Sequence, residues 1–130
     1  MGRRCVVQKY IDNPLLIDNY KFDLRVYVLI GSLDPLRIYI FHDGLARFAT
    51  ETYQSAKRQN FKSCYQHLTN YAINKHNPKF KEAQSGMDGE GGFKRSLKAV
   101  FNKMGESGID TDLLWEKIEG IAIKTVMLGY

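Results

Sequence analysis

Lys21-Phe22-Asp23-Leu24-Arg25-Val26-Tyr27-Val28-Leu29-Ile30 is the stretch on which the fold turns. Side chains along a strand alternate between its two faces. Lys21, Asp23, Arg25, Tyr27 and Leu29 therefore share one face, and Phe22, Leu24, Val26, Val28 and Ile30 share the other. The second set is wholly apolar, so the segment predicts a strand with one face on a core. Working outward, Asp34-Pro35 predicts a turn into a second strand, Leu36-Arg37-Ile38-Tyr39-Ile40-Phe41. Asp43-Gly44 is a strong short-hairpin signal before Leu45-Ala46-Arg47-Phe48-Ala49. Upstream, Arg4-Cys5-Val6-Val7-Gln8-Lys9-Tyr10-Ile11 is a β-branched and aromatic run closed by Asp12-Asn13-Pro14, which predicts a buried strand. Together these make an antiparallel meander.

The second half has a different grammar. Residues 50–60 lack periodicity and predict a loop, and residues 74–92, rich in glycine toward their end, predict a mobile one. Leu97, Val100, Phe101 and Met104 stand at helical spacing, so a short helix is expected from Phe93 to Met104, with Gly105 as its stop. Asp110-Thr111-Asp112 offers capping oxygens before Leu114, Trp115, Ile118, Ile121, Ala122, Thr125 and Val126, the pattern of an amphipathic helix. The expected class is α+β: a β-meander, a loop-rich middle and two C-terminal helices. The last helix runs to Tyr130 without a polar tail, so the chain is expected to be a segment of a longer protein.

Composition bounds the function. At 130 residues, 44% hydrophobic and 25% charged, the chain suits one small domain or a slice of a larger one. No apolar run approaches the ~20 residues of a membrane span, and no secretion signal is visible. Two cysteines, Cys5 and Cys64, are too few for a disulfide framework or a four-ligand zinc site, which points to a reducing compartment such as the cytosol. The net charge of +5 favours anionic partners, and the excess lies in the first half: residues 1–65 carry ten Lys and Arg against six Asp and Glu, residues 66–130 nine against eight.

Several residues could carry chemistry. Lys21, Asp23 and Arg25 set ammonium, carboxylate and guanidinium along one strand face, a row suited to a polyanion and equally to a solvated sheet surface. Gln8, Lys9, Tyr10 and Ile11 lie at a strand end, where backbone groups can pair with the edge of a flat ligand, or simply terminate the strand. Arg47, in an apolar strand, needs an anion, a carbonyl or an internal ion pair. His67-Leu68-Thr69-Asn70-Tyr71-Ala72-Ile73-Asn74-Lys75 is dense in hydrogen-bonding side chains, as befits a binding wall or a well-knit loop. Lys94-Arg95 could close on an anion or open a helix. His42, His67 and His76 have no partners at metal spacing, and no Walker loop, Rossmann fingerprint or nucleophile elbow is present.

The strings QKYI at 8–11, KFDLRVYVLI at 21–30, DPLRIYIF at 34–41, DGLARFAT at 43–50 and HLTNYAINK at 67–75 closely resemble the tubulin-tyrosine-ligase-like family of ATP-grasp ligases, nearest its polyglutamylase branch. The likeness covers nearly the whole chain and weakens between Asn77 and Gly92. It implies a central part, residues 1–130, of a catalytic domain that uses ATP and Mg²⁺ to add free L-glutamate to the acidic tails of tubulin or microtubules through an acyl phosphate. By position, Gln8, Lys9, Tyr10 and Ile11 correspond to the adenine-holding strand end, and Lys21, Phe22, Asp23, Thr69 and Asn70 to ATP contacts. Arg47, Tyr71 and Lys94 correspond to glutamate contacts, and Arg25 to a catalytic stabiliser of phosphate or of the acyl phosphate. The Mg²⁺ ligands and further nucleotide contacts are expected outside these residues, leaving this chain inactive by itself. The glycine-rich stretch before Lys94 departs from the family's shorter form. The resemblance further implies a cytoplasmic, cytoskeletal protein, at a cilium or basal body in some settings, with no nucleic-acid or membrane partner. Glycine or tyrosine ligation, and a non-catalytic basic binding module, are the alternative functions.

Overall fold

A computed structural model describes residues 5–80 and 92–129. Four antiparallel strands lie in the order β1-β2-β3-β4: β1 (Leu16–Ile17), β2 (Tyr20–Leu33), β3 (Leu36–Phe48) and β4 (Lys94–Ser96). Two one-turn helices, α1 (Cys64–His67) and α2 (Tyr71–Asn74), precede β4, and α3 (Leu97–Glu106) and α4 (Thr111–Met127) follow it. The α+β class and the meander agree with expectation.

β1 and β2 are joined through Asp18 and Asn19, both at positive φ (54° and 65°), the conformation of a tight hairpin turn that short polar side chains tolerate. β2 and β3 then pair over a long ladder from Phe22↔Phe48 to Leu33↔Leu36. Near its base, Phe22, Leu24 and Val26 of β2 and Ala46 and Phe48 of β3 turn to one side, where α3 lays Leu97, Val100 and Met104 on them. Ala46, Phe48, Leu97, Val100 and Met104 are all buried. Ser96 opens α3 by accepting the Ala99 amide, and Asp110 opens α4 by accepting the Leu113 amide at 2.9 Å, the oxygen donors expected at helix starts. Phe101 of α3 meets Trp115 of α4 edge to face.

Four expectations are corrected. Asp43-Gly44 is no hairpin turn: β3 runs straight through it, and the pairing with β2 shifts register between Val26 and Val28. A Cβ on Gly44 would stand 2.2 Å from the Arg25 carbonyl oxygen, so glycine here permits close strand approach at a bulge. The expected N-terminal strand does not form. Among the described residues, Cys5–Ile11 pairs with no strand, and Val6, Val7 and Ile11 are exposed. Strand-forming residues make a strand only where a partner edge offers a ladder, and side chains, described below, fix this segment instead. The first C-terminal helix begins at Leu97, because Lys94–Ser96 is drawn into pairing with Leu45–Arg47. It passes through Gly105, and the residue at positive φ beyond it is Gly108 (82°). Most of the expected 74–92 loop lies outside the described residues.

Candidate functional site

The sheet face opposite α3 carries the polar residues. Lys21, Asp23 and Arg25 occupy alternate positions of β2, Arg47 of β3 stands in register with Asp23, and Lys94 of β4 stands in register with Arg47. The pairing thus sets a carboxylate, a guanidinium and an ammonium side by side across three strands.

Arg47 grips Asp23 with a two-pronged ion pair, Nε to Oδ1 at 3.0 Å and one terminal nitrogen to Oδ2 at 2.6 Å. Both side chains are partly shielded, 23% and 35% exposed, so the pair is stronger than a freely solvated one. The carboxylate raises the Arg47 pKa above its already high ordinary value, with burial opposing. Of the five guanidinium N–H donors, the pair takes two and leaves the outer edge able to hold another acceptor. Beside it, the Lys94 ammonium sits 3.6 Å from the centre of the Tyr71 ring, within cation–π range.

Lys21 is held by two residues, Tyr10 and His67. Its ammonium donates to the Tyr10 hydroxyl at 3.1 Å and to the His67 carbonyl at 3.0 Å, and lies 4.5 Å from the Tyr10 ring centre. Lys21 therefore brings the 8–11 segment and the 67–70 segment to the same edge of the sheet. Gln8, Lys9 and Ile11 lie on either side of Tyr10 on that exposed segment. Thr69 and Asn70 lead into α2, where the Asn70 carbonyl accepts the Ile73 and Asn74 amides and the Asn70 side chain makes no cap bond. Arg25, opposite Leu45, is exposed on the same face. Phe22 is the exception among the expected residues. Its ring stacks on Phe48 within the core side, so only its backbone faces the polar region.

Two residues that knit this wall together had no separate role in the sequence reading. His67 is buried between Tyr10 and Tyr53, whose rings both meet it edge to face. Asn74, also buried, accepts the Thr50 amide and hydroxyl through Oδ1 and donates Nδ2 to the Leu68 and Asn70 carbonyls. Every hydrogen-bonding position of that amide is used, so Asn74 builds the wall and is not a ligand contact. The signal available was the density of polar side chains in 67–75, which does not say which of them turn inward.

The family model described as the Tubulin-tyrosine ligase family matches residues 1–129. The chain belongs to the tubulin-tyrosine ligase family. It is 48% identical over 122 residues to a probable beta-tubulin polyglutamylase of Tetrahymena thermophila, covering 94% of this chain and 10% of that protein. It is 48% identical over 129 residues to tubulin polyglutamylase TTLL13 of Homo sapiens, covering 99% of this chain and 15% of the relative. It is 43% identical over 125 residues to tubulin monoglutamylase TTLL4 of Mus musculus, covering 96% and 10%. The chain therefore spans only a small part of these relatives' length. The family's ATP-grasp-like architecture agrees with the antiparallel sheet and helices seen here.

Among the described residues the donor chemistry suits a polyphosphate more than a metal ion. Lys21, Arg25, Arg47 and Lys94 present cations on one face, with the exposed backbone of 8–11 at its edge. Among the described residues no three His, Cys, Asp or Glu side chains gather, and Asp23 is committed to Arg47. These residues supply no Mg²⁺ cage. Among the described residues no helix is long and apolar enough to cross a membrane.

Proposed function

We propose that this chain forms the nucleotide- and amino-acid-facing sheet of an ATP-dependent ligase that adds glutamate to the acidic C-terminal tails of tubulin. The observation that carries this reading is the register row Asp23, Arg47, Lys94 beside the tethered Lys21. When bound, ATP would supply a γ-phosphoryl group to the acceptor carboxylate, leaving ADP, so that attack of the glutamate amine on the acyl carbon would expel inorganic phosphate and a proton as the amide forms. The chain's own residues hold and orient. Lys21 and the 8–11 segment, with Thr69 and Asn70, face the nucleotide. Arg25, exposed on the same face, is assigned to stabilising charge on the phosphate or acyl phosphate. The free edge of Arg47 and the Lys94 ammonium over Tyr71 take the incoming amino acid.

Two cations suit an amino acid with two carboxylates. Glycine or tyrosine would fill only one of the two carboxylate positions offered by the Lys94 ammonium and by the edge of Arg47 that Asp23 leaves free, and that omission is the basis for favouring glutamate. Mg²⁺ ligands are assigned to polypeptide beyond this chain, so these 130 residues are not expected to turn over by themselves. The full-length protein is assigned to tubulin in the cytoplasm, at the cytoskeleton, with cilia or basal bodies as sites of action.

The test is Arg47→Ala in the full-length enzyme. Losing charge-assisted hydrogen bonds of roughly 1.5–3 kcal/mol should raise KM for glutamate about ten- to a hundredfold while KM for ATP moves far less. Equal rises in both would remove Arg47 from the amino-acid site.

A further inference from the structure

We propose that His67 is a positioning residue which, through the Tyr10 hydroxyl and through its own carbonyl, fixes the Lys21 ammonium on the polar face of the sheet. The inference rests on the assignment of Lys21 to the nucleotide, and adds what sets that lysine's place.

With a neutral imidazole, the partners set the direction of each hydrogen bond. His67 is 6% exposed, and its Nε2 lies 3.2 Å from the Asn60 carbonyl oxygen, which can only accept. Nε2 therefore carries the proton in the neutral ring, and Nδ1 is left as an acceptor. The Tyr10 hydroxyl, 3.0 Å from Nδ1, donates to it. With its proton spent there, the phenol oxygen turns its lone pairs outward and accepts from Lys21 at 3.1 Å. The His67 carbonyl accepts a second proton of the same ammonium at 3.0 Å. An ammonium has three donors, so two are tied to protein and one remains for a phosphate oxygen.

The arrangement removes freedom that a lysine on an open sheet would keep. A long flexible side chain loses rotamer entropy when a ligand fixes it; here the loss is incurred on folding and need not be met again on binding. The same ring also holds the 8–12 segment. Tyr10 and Tyr53 both pack edge to face against His67, and the Tyr53 hydroxyl donates to the Asp12 carbonyl at 2.8 Å. A segment that pairs with no described strand is thus fixed beside Lys21 by side chains around one imidazole.

The test uses the full-length protein and binding of a non-hydrolysable ATP analogue by calorimetry, with kinetics for both substrates. Tyr10→Phe keeps the ring and deletes the relay oxygen. It should weaken analogue binding about fivefold, the factor for one net hydrogen bond, and raise KM for ATP without raising KM for glutamate. His67→Ala should do the same or more, and His67→Gln, whose amide can accept from Tyr10 and donate to Asn60, should restore binding to within about twofold of the parent. A merely structural role would lower both substrates' affinities together and show no such rescue. Should His67→Ala fail to fold, Tyr10→Phe decides the matter. Nitrogen NMR of the parent protein should show the neutral-ring tautomer of His67 with its proton on Nε2; the Nδ1–H tautomer would overturn the relay whatever the kinetics. Lys21→Ala separates the two levels. If it weakens the analogue but Tyr10→Phe and His67→Ala do not, positioning by His67 is wrong while the nucleotide assignment stands. If Lys21→Ala leaves the analogue unaffected, that assignment falls and this inference falls with it.

Discussion

The base and the tip of the β2–β3 hairpin are written in the same alternating style and meet different fates. At the base, Phe22, Leu24 and Val26 pack with Ala46 and Phe48 under α3, and the opposite face carries Lys21, Asp23, Arg25 and Arg47. At the tip, beyond the register shift at Val26 and Val28, the residues that continue the core face lie open, Val28 40% and Ile30 47% exposed, and Leu29 on the outer face is 64% exposed. Alternation states which residues share a face. It does not state which faces are covered, because covering depends on an element placed there by distant sequence, here α3 over the base. A single point mutation on each side of the shift measures that difference.

The largest effect belongs to Phe48, 2% exposed and surrounded by core side chains, with the Arg95 guanidinium 4.3 Å from its ring centre. Phe48→Ala should cost about 3–5 kcal/mol, the usual range for truncating a buried phenylalanine, read as a shift of the urea midpoint. A cost below ~1 kcal/mol would mean that the base is no better packed than the tip, and the contrast would be gone.

Which parts were legible in advance follows from the range of the interactions. The Lys21–Val26 alternation, the Asp34-Pro35 reversal and the Asp110 cap are set by neighbours within a few residues, and the structure has them all. Asp43-Gly44 is equally local and misled. The dipeptide that usually reverses a chain here sits where the Arg25 carbonyl would collide with any side chain, a demand made by a residue 19 positions away. The site was half legible. Lys21, Asp23 and Arg25 lie on one strand and were found as a row. The pairing of Asp23 with Arg47 and of Arg47 with Lys94 depends on register between strands far apart in the chain, which no spacing rule carries. Only the resemblance placed Arg47 and Lys94 together. Phe22 shows the limit of a motif: it sits between two polar-face residues in sequence and on the opposite face in space.

An intermediate effect comes from the clamp that closes the base. Asp18, in the turn between β1 and β2, binds Lys103 of α3 at 2.5 Å and Arg95 of β4 at 3.0 Å. Lys103 first, then Arg95, hold its carboxyl below the ordinary value of 3.8, with burial opposing. A carboxylate whose folded pKa is depressed stabilises the fold above its unfolded pKa, and that contribution fades as pH falls through the folded one. The side chain is 39% exposed, so screening keeps the effect small. Asp18→Asn, which retains the left-handed backbone preference, should cost about 0.5–1 kcal/mol at pH 7. The difference from the parent should close as pH is lowered beneath 3.8. A pH-independent difference would place the cost in the backbone and not in the ion pairs.

The smallest effect is expected at the tip, and it makes the comparison quantitative. Leu29 stands opposite Tyr39 in the ladder, so any stabilisation it gives comes from that cross-strand contact and from what little of its surface is covered. Leu29→Thr keeps strand propensity and exchanges an apolar side chain for a smaller polar one. With 64% of the residue already in water, little transfer free energy is at stake and no buried cavity is opened among the described residues. The chain should change in stability by no more than about 0.5 kcal/mol, as exposed positions do. A loss above ~1 kcal/mol would show the tip to be held by side-chain packing like the base, since exposed strand pairs contribute roughly 0.2–1 kcal/mol. The same substitution made in the longer protein then asks a separate question: a cost that appears only there measures burial of this apolar tip by polypeptide outside these residues, and equal, near-zero costs in both leave it a solvated strand end.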